Sequence, residues 1–173
     1  MVTWDADTAK SFRRGAEPAL NGARPIVDGA AAIGPLYVVD DDVMFRDSVA
    51  FMLRSAGIVV ADPMTGRDFV AIAERLPPGC VLVDLRMPEV DGFAVLAALA
   101  PRSREFPAIV VTGHGDRASA ETAGRLGAVA FLQKPFDECV LLAAIASATR
   151  HLRNTDRYTP TLGQRGRLSP RVT

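Results

Sequence analysis

Five short apolar runs, Leu36–Val39, Ile58–Ala61, Cys80–Val83, Ala108–Val111 and Val129–Leu132, alternate with helical patterns, and this alternation restricts the fold more than any other feature. Each run is rich in β-branched residues and bounded by turn or charged residues, as in strands buried on both faces. Phe45, Val49, Met52, Leu53 and Ala56 fall on one helical stripe. Phe69, Ile72, Ala73 and Leu76 form a second, opened by Thr65 with Asp68 following it, a near capping box. Phe93, Leu96 and Leu99–Ala100 give a third, and Asp116–Leu126 a weaker, Ala-rich fourth. Val140, Leu141, Ala144, Ile145 and Ala148 make a fifth behind Asp137 as N-cap. Such β-then-α units predict an α/β fold: a five-stranded parallel sheet with right-handed crossovers and helices on both faces.

The ends of the chain read differently. Residues 1–34 carry Gly15, Pro18, Gly22, Pro25, Gly29 and Gly34 without an apolar period, so a disordered or weakly structured arm is expected, with a short helical stretch near Thr8–Arg14. The folded domain is expected over 35–152 and a basic flexible tail over 153–173. Between residues 150 and 173 six arginines face the single acid Asp156, the pattern of a solvated tail. Across the chain Lys plus Arg and Asp plus Glu are both 20, so no net charge draws it to nucleic acid or membrane. With neither a signal-like apolar segment nor a run of membrane-spanning length, a cytoplasmic protein is expected. Cys80 and Cys139 sit in apolar runs and read as buried, reduced thiols.

In open parallel sheets, functional groups gather at the carboxyl ends of the strands. Here the first run ends in Asp40-Asp41-Asp42, the third in Asp84 and the fourth in Thr112, while Lys134-Pro135 follows the fifth. Two carboxylates about 5 Å apart repel by roughly 3 kcal/mol at an effective dielectric near 20, so a cluster of them needs cations. Lys134 supplies one charge, and Mg²⁺, which favours one or two carboxylates plus phosphate oxygens and water, suits the rest. The cluster therefore reads as a metal-assisted phosphoryl site. Asp84, on a central strand, is the candidate nucleophile for an aspartyl phosphate; Asp40 and Asp41 would position the ion, and Asp42 would cap the next helix. Mg²⁺ and Lys134 would neutralise the phosphoryl oxygens in transfer. Of 20 basic residues 18 are Arg, and Lys134 is the one Lys besides Lys10, which suggests a position requiring a compact charge. Singly, each aspartate could equally be an N-cap, Thr112 a turn residue and Lys134 a surface residue; only their joint placement points to chemistry.

These residues resemble the response-regulator receiver family of two-component signalling, and receivers of the FixJ type in particular. The similar segments are Val38-Val39-Asp40-Asp41, Asp84-Leu85-Arg86-Met87-Pro88 with Gly92, Val111-Thr112-Gly113 and Lys134-Pro135-Phe136, together covering about residues 35–150. The resemblance implies that Asp84 accepts phosphate from a histidine kinase or phosphotransfer protein, and that Asp40, Asp41, Asp84 and the Arg86 backbone carbonyl hold Mg²⁺. It implies that Thr112 hydrogen-bonds the phosphoryl group, that Lys134 pairs with it, and that Phe131 is an aromatic switch turning inward with Thr112. It further implies a cis Lys134–Pro135 bond and a flavodoxin-like sheet of strand order 2-1-3-4-5. The output face would be the fourth helix, fifth strand and fifth helix, engaging a downstream protein or a phosphorylation-dependent homodimer. The chain would be a signalling module rather than an enzyme, catalysing at most its own phosphoryl transfer and dephosphorylation.

FixJ-type regulators continue into a helix-turn-helix domain, whereas only a short tail follows residue 150 here; Arg167-Leu168-Ser169-Pro170-Arg171 faintly resembles the start of one. The chain thus reads as a stand-alone receiver, or alternatively as the receiver portion of a transcription regulator whose output half is missing. Without a recognition helix, the expected nucleic-acid contact is weak and confined to the basic tail. Gly113-His114-Gly115-Asp116-Arg117-Ala118 fits a dinucleotide pattern but follows the wrong strand. A phosphatase with an Asp nucleophile would need a second Asp at position 86, which is Arg. His114 reads as a solvent-facing loop residue that could tune the phosphate's lifetime.

Overall fold

The computed structural model describes residues 34–156; the N-terminal arm, the segment after residue 156 and the Arg167–Arg171 motif lie outside the described residues. The described chain runs β1 (Leu36–Val39), α1 (Val43–Ser55), α2 (Gly66–Ile72), β2 (Cys80–Val83), α3 (Gly92–Leu99), β3 (Ala108–Thr112), α4 (Arg117–Arg125), β4 (Ala128–Gln133) and α5 (Glu138–Asp156). Single-turn 3₁₀ helices extend α2 and α3. Helix α5 thus continues past the boundary expected at residue 152. Among the described residues no helix is long and apolar enough to cross a membrane.

All strand pairs are parallel, in the order β1-β2-β3-β4, with Val39 beside Val83, Val83 beside Val110, and Val110 beside Phe131. Alternate residues of each strand enter two cores. Leu36, Val38, Leu82, Ile109 and Leu132 pack with Val49 and Leu53 of α1 and Leu141 and Ile145 of α5. Tyr37, Val39, Val81, Val83 and Val110 pack on the opposite face with Phe69, Val95, Leu96 and Ala123, from α2, α3 and α4. This is the double winding that the five helical stripes predict.

The expected five-stranded sheet needs correction, because four strands form, in the 1-3-4-5 part of the expected order 2-1-3-4-5; the Ile58–Ala61 run makes one isolated parallel bridge to β1, Val60 to Leu36, and Met64 beyond it makes another, to Val39. Pro63 explains the failure. The Ala61 N–H donates to Leu36 O, and the next donor along this edge would be residue 63, which as proline has none. Met64 donates to Val38 O instead, so the pairing slips by one residue and the ladder breaks. On the outer side Arg54 donates to Val60 O at 3.3 Å, covering an edge that would otherwise offer free carbonyls.

Burial on both faces also fails for β4, whose residues alternate buried and more exposed, with Val129 exposed. It is the other edge of the sheet, and the short α4 covers it only in part. Cys80 is buried as expected, but Cys139 is exposed on α5. Its neighbours Leu141 and Leu142 face the core, which puts Cys139 on the outer side of the first turn. Local signals elsewhere agree with the sequence. Thr65 Oγ1 accepts from Asp68 N and donates to the Asp68 carboxylate, and Gly57, at φ +83, ends α1 with the Ile58 N–H returning to Leu53 O.

Candidate functional site

Strands β1, β2 and β4 end in charged residues, and the sheet anchors the backbone of each. The Asp40 N–H donates to Met64 O at 3.2 Å, the Asp84 N–H to Val39 O at 2.9 Å, and the Lys134 N–H to Thr112 O at 2.9 Å. The register sets Asp40 beside Asp84, and Lys134 follows two residues beyond the level of this pair. Asp40, Asp41 and Asp84 each bring a carboxylate oxygen within 4.8 Å of the others, with Asp40 and Asp84 buried and Asp41 exposed. Lys134 Nζ lies 2.6 Å from Asp40 Oδ2 and 3.8 Å from Asp84 Oδ1.

The two buried carboxylates have different surroundings. Asp40 uses both oxygens, Oδ1 accepting from the Asp42 N–H at 2.9 Å and Oδ2 from Lys134. Burial still holds its carboxyl above the usual range; Lys134 and the Asp42 amide pull it back, and Asp84 adds a further push upward. Asp84 Oδ2 accepts from the Arg86 N–H at 3.0 Å, but Oδ1 is buried with no hydrogen-bond partner. A buried, unpartnered carboxylate oxygen is costly unless another group binds it. Together with two neighbouring carboxylates, the set of hard oxygens fits a divalent cation of the Mg²⁺ type.

Asp42 caps α1, accepting from Met44 N and Phe45 N, so it is the member of the aspartate run that serves the helix. Gly92, at the start of α3, comes so close to the Asp84 backbone that a Cβ there would lie 2.2 Å from Asp84 O. Thr112 is fully buried, and its Oγ1 accepts a long 3.4 Å contact from the His114 N–H. Phe131 stands apart from the carboxylates: half-buried, it packs on the α2/α3/α4 side. Gly115 links it to Thr112, since a Cβ on Gly115 would meet the Phe131 ring at 2.6 Å and the Thr112 methyl at 3.3 Å. The Lys134–Pro135 bond is cis, as expected. His114 is exposed, and its loop follows β3. The sequence reading missed two neighbours. Arg46 Nη1 donates to Asp40 O at 2.6 Å, and the Phe45 ring lies under Lys134 Nζ, 3.5 Å from ring centroid to nitrogen. A cation one turn beyond Asp42 could have signalled the first; nothing local could signal the second.

Residues 36–146 match the family described as response regulator receiver domain. The chain belongs to that family. Curated relatives of this receiver include transcriptional regulatory protein FixJ of Bradyrhizobium diazoefficiens, 44% identical over 117 residues, covering 68% of this chain and 57% of the relative. FixJ of Azorhizobium caulinodans is 40% identical over 114 residues, or 66% and 54% of the two chains. Response regulator protein TodT of Pseudomonas putida is 35% identical over 136 residues, or 79% and 59%. The receiver chain therefore spans little more than half the length of these relatives. Among solved structures, FixJ-N is 38% identical with a TM-score of 0.62, covering 68% of this chain and 94% of that one. Full-length FixJ from B. japonicum is 40% identical with a TM-score of 0.64, covering 72% and 61%.

Proposed function

We propose that this receiver is phosphorylated on Asp84 in a two-component relay and thereby switches a protein-binding face. The observation carrying the reading is the buried, unpartnered Asp84 Oδ1, set among Asp40, Asp41 and Lys134 at the carboxyl ends of β1, β2 and β4. Asp40, Asp41, Asp84 and the Arg86 backbone carbonyl would hold Mg²⁺, which when bound neutralises charge on the phosphoryl oxygens. In the transfer, an Asp84 carboxylate oxygen forms a bond to phosphorus as the donor's P–N bond breaks. The bonding pair leaves with the imidazole of a kinase or phosphotransfer histidine, which then takes up a proton. Lys134 stabilises the added charge at short range, and the Thr112 hydroxyl donates to a phosphoryl oxygen.

The closeness of Gly115 to both the Phe131 ring and the Thr112 methyl supports Phe131 as the reporter: a Thr112 side chain drawn toward the phosphoryl group would open space in the loop beside the ring. The surface built by α4, β4 and α5 would then change its affinity for a downstream partner or a second copy of the chain. The protein would act in the cytoplasm and turn over no external substrate. Mass spectrometry after treatment with acetyl phosphate and Mg²⁺, on this chain and on Asp84→Asn, tests the chemistry. One phosphoryl adduct that disappears with Asp84 is expected, and an adduct that persists in the variant refutes the assignment. Partner binding or dimerisation with and without beryllofluoride and Mg²⁺ tests the switch; identical behaviour removes it.

A second reading has one observation in its favour: relatives named as transcriptional regulators are nearly twice as long as the segment they share with this chain. The chain would then be the receiver portion of such a regulator. Salt-dependent retention on DNA that vanishes on deleting residues 154–173 would support a nucleic-acid contact, and no retention at low salt would dismiss it.

A further inference from the structure

We propose that Phe45 is a positioning residue of the phosphoryl site, its ring face fixing where the Lys134 ammonium stands; the inference rests on the phosphoacceptor reading above. Lys134 Nζ sits 3.5 Å from the Phe45 ring centroid, directly over the face, while one donor goes to Asp40 Oδ2 at 2.6 Å. Ring faces carry negative quadrupole charge, and this one lies where the ammonium is only partly exposed to water. At 3.8 Å the second carboxylate, Asp84 Oδ1, is beyond hydrogen-bond reach of the same ammonium. A lysine has a flexible stem and three donors, and a buried carboxylate oxygen without a partner would draw it in. The aromatic face holds the ammonium back, so that Asp84 Oδ1 stays open for a cation or a phosphoryl group instead of being filled by Lys134.

The ring is itself well held. The Phe45 N–H donates to the Asp42 carboxylate at 3.2 Å, which ties the ring to the aspartate run through the helix cap. Phe136 meets it edge-on, with centroids 6.2 Å apart and planes at 89°. Phe45, Lys134, Pro135 and Phe136 also line an open cleft, with the ring and the ammonium sharing its wall.

The chain offers a direct test because Lys10 and Lys134 are its only lysines. With isotope-labelled lysine in a Lys10→Arg background, one set of ε-methylene and ammonium signals remains, and the ring face should move it far upfield of free lysine. Phe45→Leu should return the signal toward free lysine and lower the rate of Asp84 phosphorylation by acetyl phosphate about threefold to thirtyfold, the range a partly desolvated cation–π contact corresponds to. Phe45→Tyr, which keeps a ring face, should recover most of both effects. A Lys134 signal at the free-lysine position in the Lys10→Arg background overturns the proposal before any change at Phe45. It is equally overturned if Phe45→Leu phosphorylates as fast as wild type, or if Phe45→Tyr is as slow as Phe45→Leu. If wild type forms no adduct at Asp84, the function reading fails, and the lysine signal alone then decides whether the ring holds the ammonium.

Discussion

Replacing Asp84 with Asn should make the metal-free protein more stable while abolishing its modification. Asp84 feels two opposing Coulomb terms. Its oxygens lie up to 4.8 Å from those of Asp40, a repulsion of roughly 3.5 kcal/mol at an effective dielectric of 20. Asp41 adds less, since it is exposed and screened by water. Against this, Lys134 at 3.8 Å attracts Asp84 by about 4 kcal/mol on the same scale, so the charge terms nearly cancel. What remains is the penalty of a buried oxygen with no partner, about 1–3 kcal/mol. Asn fits the site: its carbonyl can accept from the Arg86 N–H as Oδ2 does now, and its amide replaces the orphan oxygen with a donor aimed at the neighbouring carboxylates. A gain of about 1–2 kcal/mol follows, or roughly 4–10 °C in Tm for a domain of this size. Urea and thermal unfolding in EDTA measure it. In wild type, added Mg²⁺ should raise stability by mass action, and in the variant it should do so far less. A metal-free Asp84→Asn protein less stable than wild type by more than about 1 kcal/mol would refute the crowding argument.

Other perturbations have definite outcomes. Gly92→Ala places a Cβ 2.2 Å from Asp84 O, against backbone that cannot rotate away, and should cost about 3 kcal/mol while slowing phosphorylation; unchanged unfolding would contradict the packing. Arg102 donates to the carbonyls of Ala73, Glu74 and Leu76 and stacks 4.6 Å from the Phe106 ring centroid, so Arg102→Ala should cost about 2–3 kcal/mol in urea melts. Arg67→Ala, which breaks only an exposed pair with Glu89, should cost under about 0.5 kcal/mol. A thiol reagent should label Cys139 in the native protein and Cys80 only after unfolding. Burial pushes the Cys80 thiol up to about 12, so the folded state keeps this proton longer than the unfolded chain. Its contribution to stability is complete below about pH 8.5 and is lost as pH climbs toward 12, which unfolding curves across that range would reveal.

Much of this architecture is legible in the residues because the signals are local. Asp42 and Thr65 cap the helices they precede, and alternation along β1 to β3 sorts side chains between two cores. The convergence of Asp40, Asp84 and Lys134 also follows, since parallel strands put their carboxyl ends on one edge. The second strand misleads because hydrophobicity describes burial, while a ladder needs donors, and Pro63 withholds one where it matters. Cys139 misleads because helical phase, not the apolar neighbourhood, decides which side faces out. Phe45 falls on the same stripe as Val49 and Leu53, so its second contact, with a lysine 89 residues away (45 to 134), leaves no mark in periodicity.

The anchoring of Asp40, Asp84 and Lys134 has a mechanical consequence. Each main chain is gripped by the neighbouring segment, so displacing one of these strand ends would cost a backbone hydrogen bond. The loop after β3 is built otherwise: a Cβ on Gly113 would touch nothing within 4 Å, and His114 faces solvent. On the reading proposed above, a group bound at the carboxylates would act on this more open wall, and through it on α4.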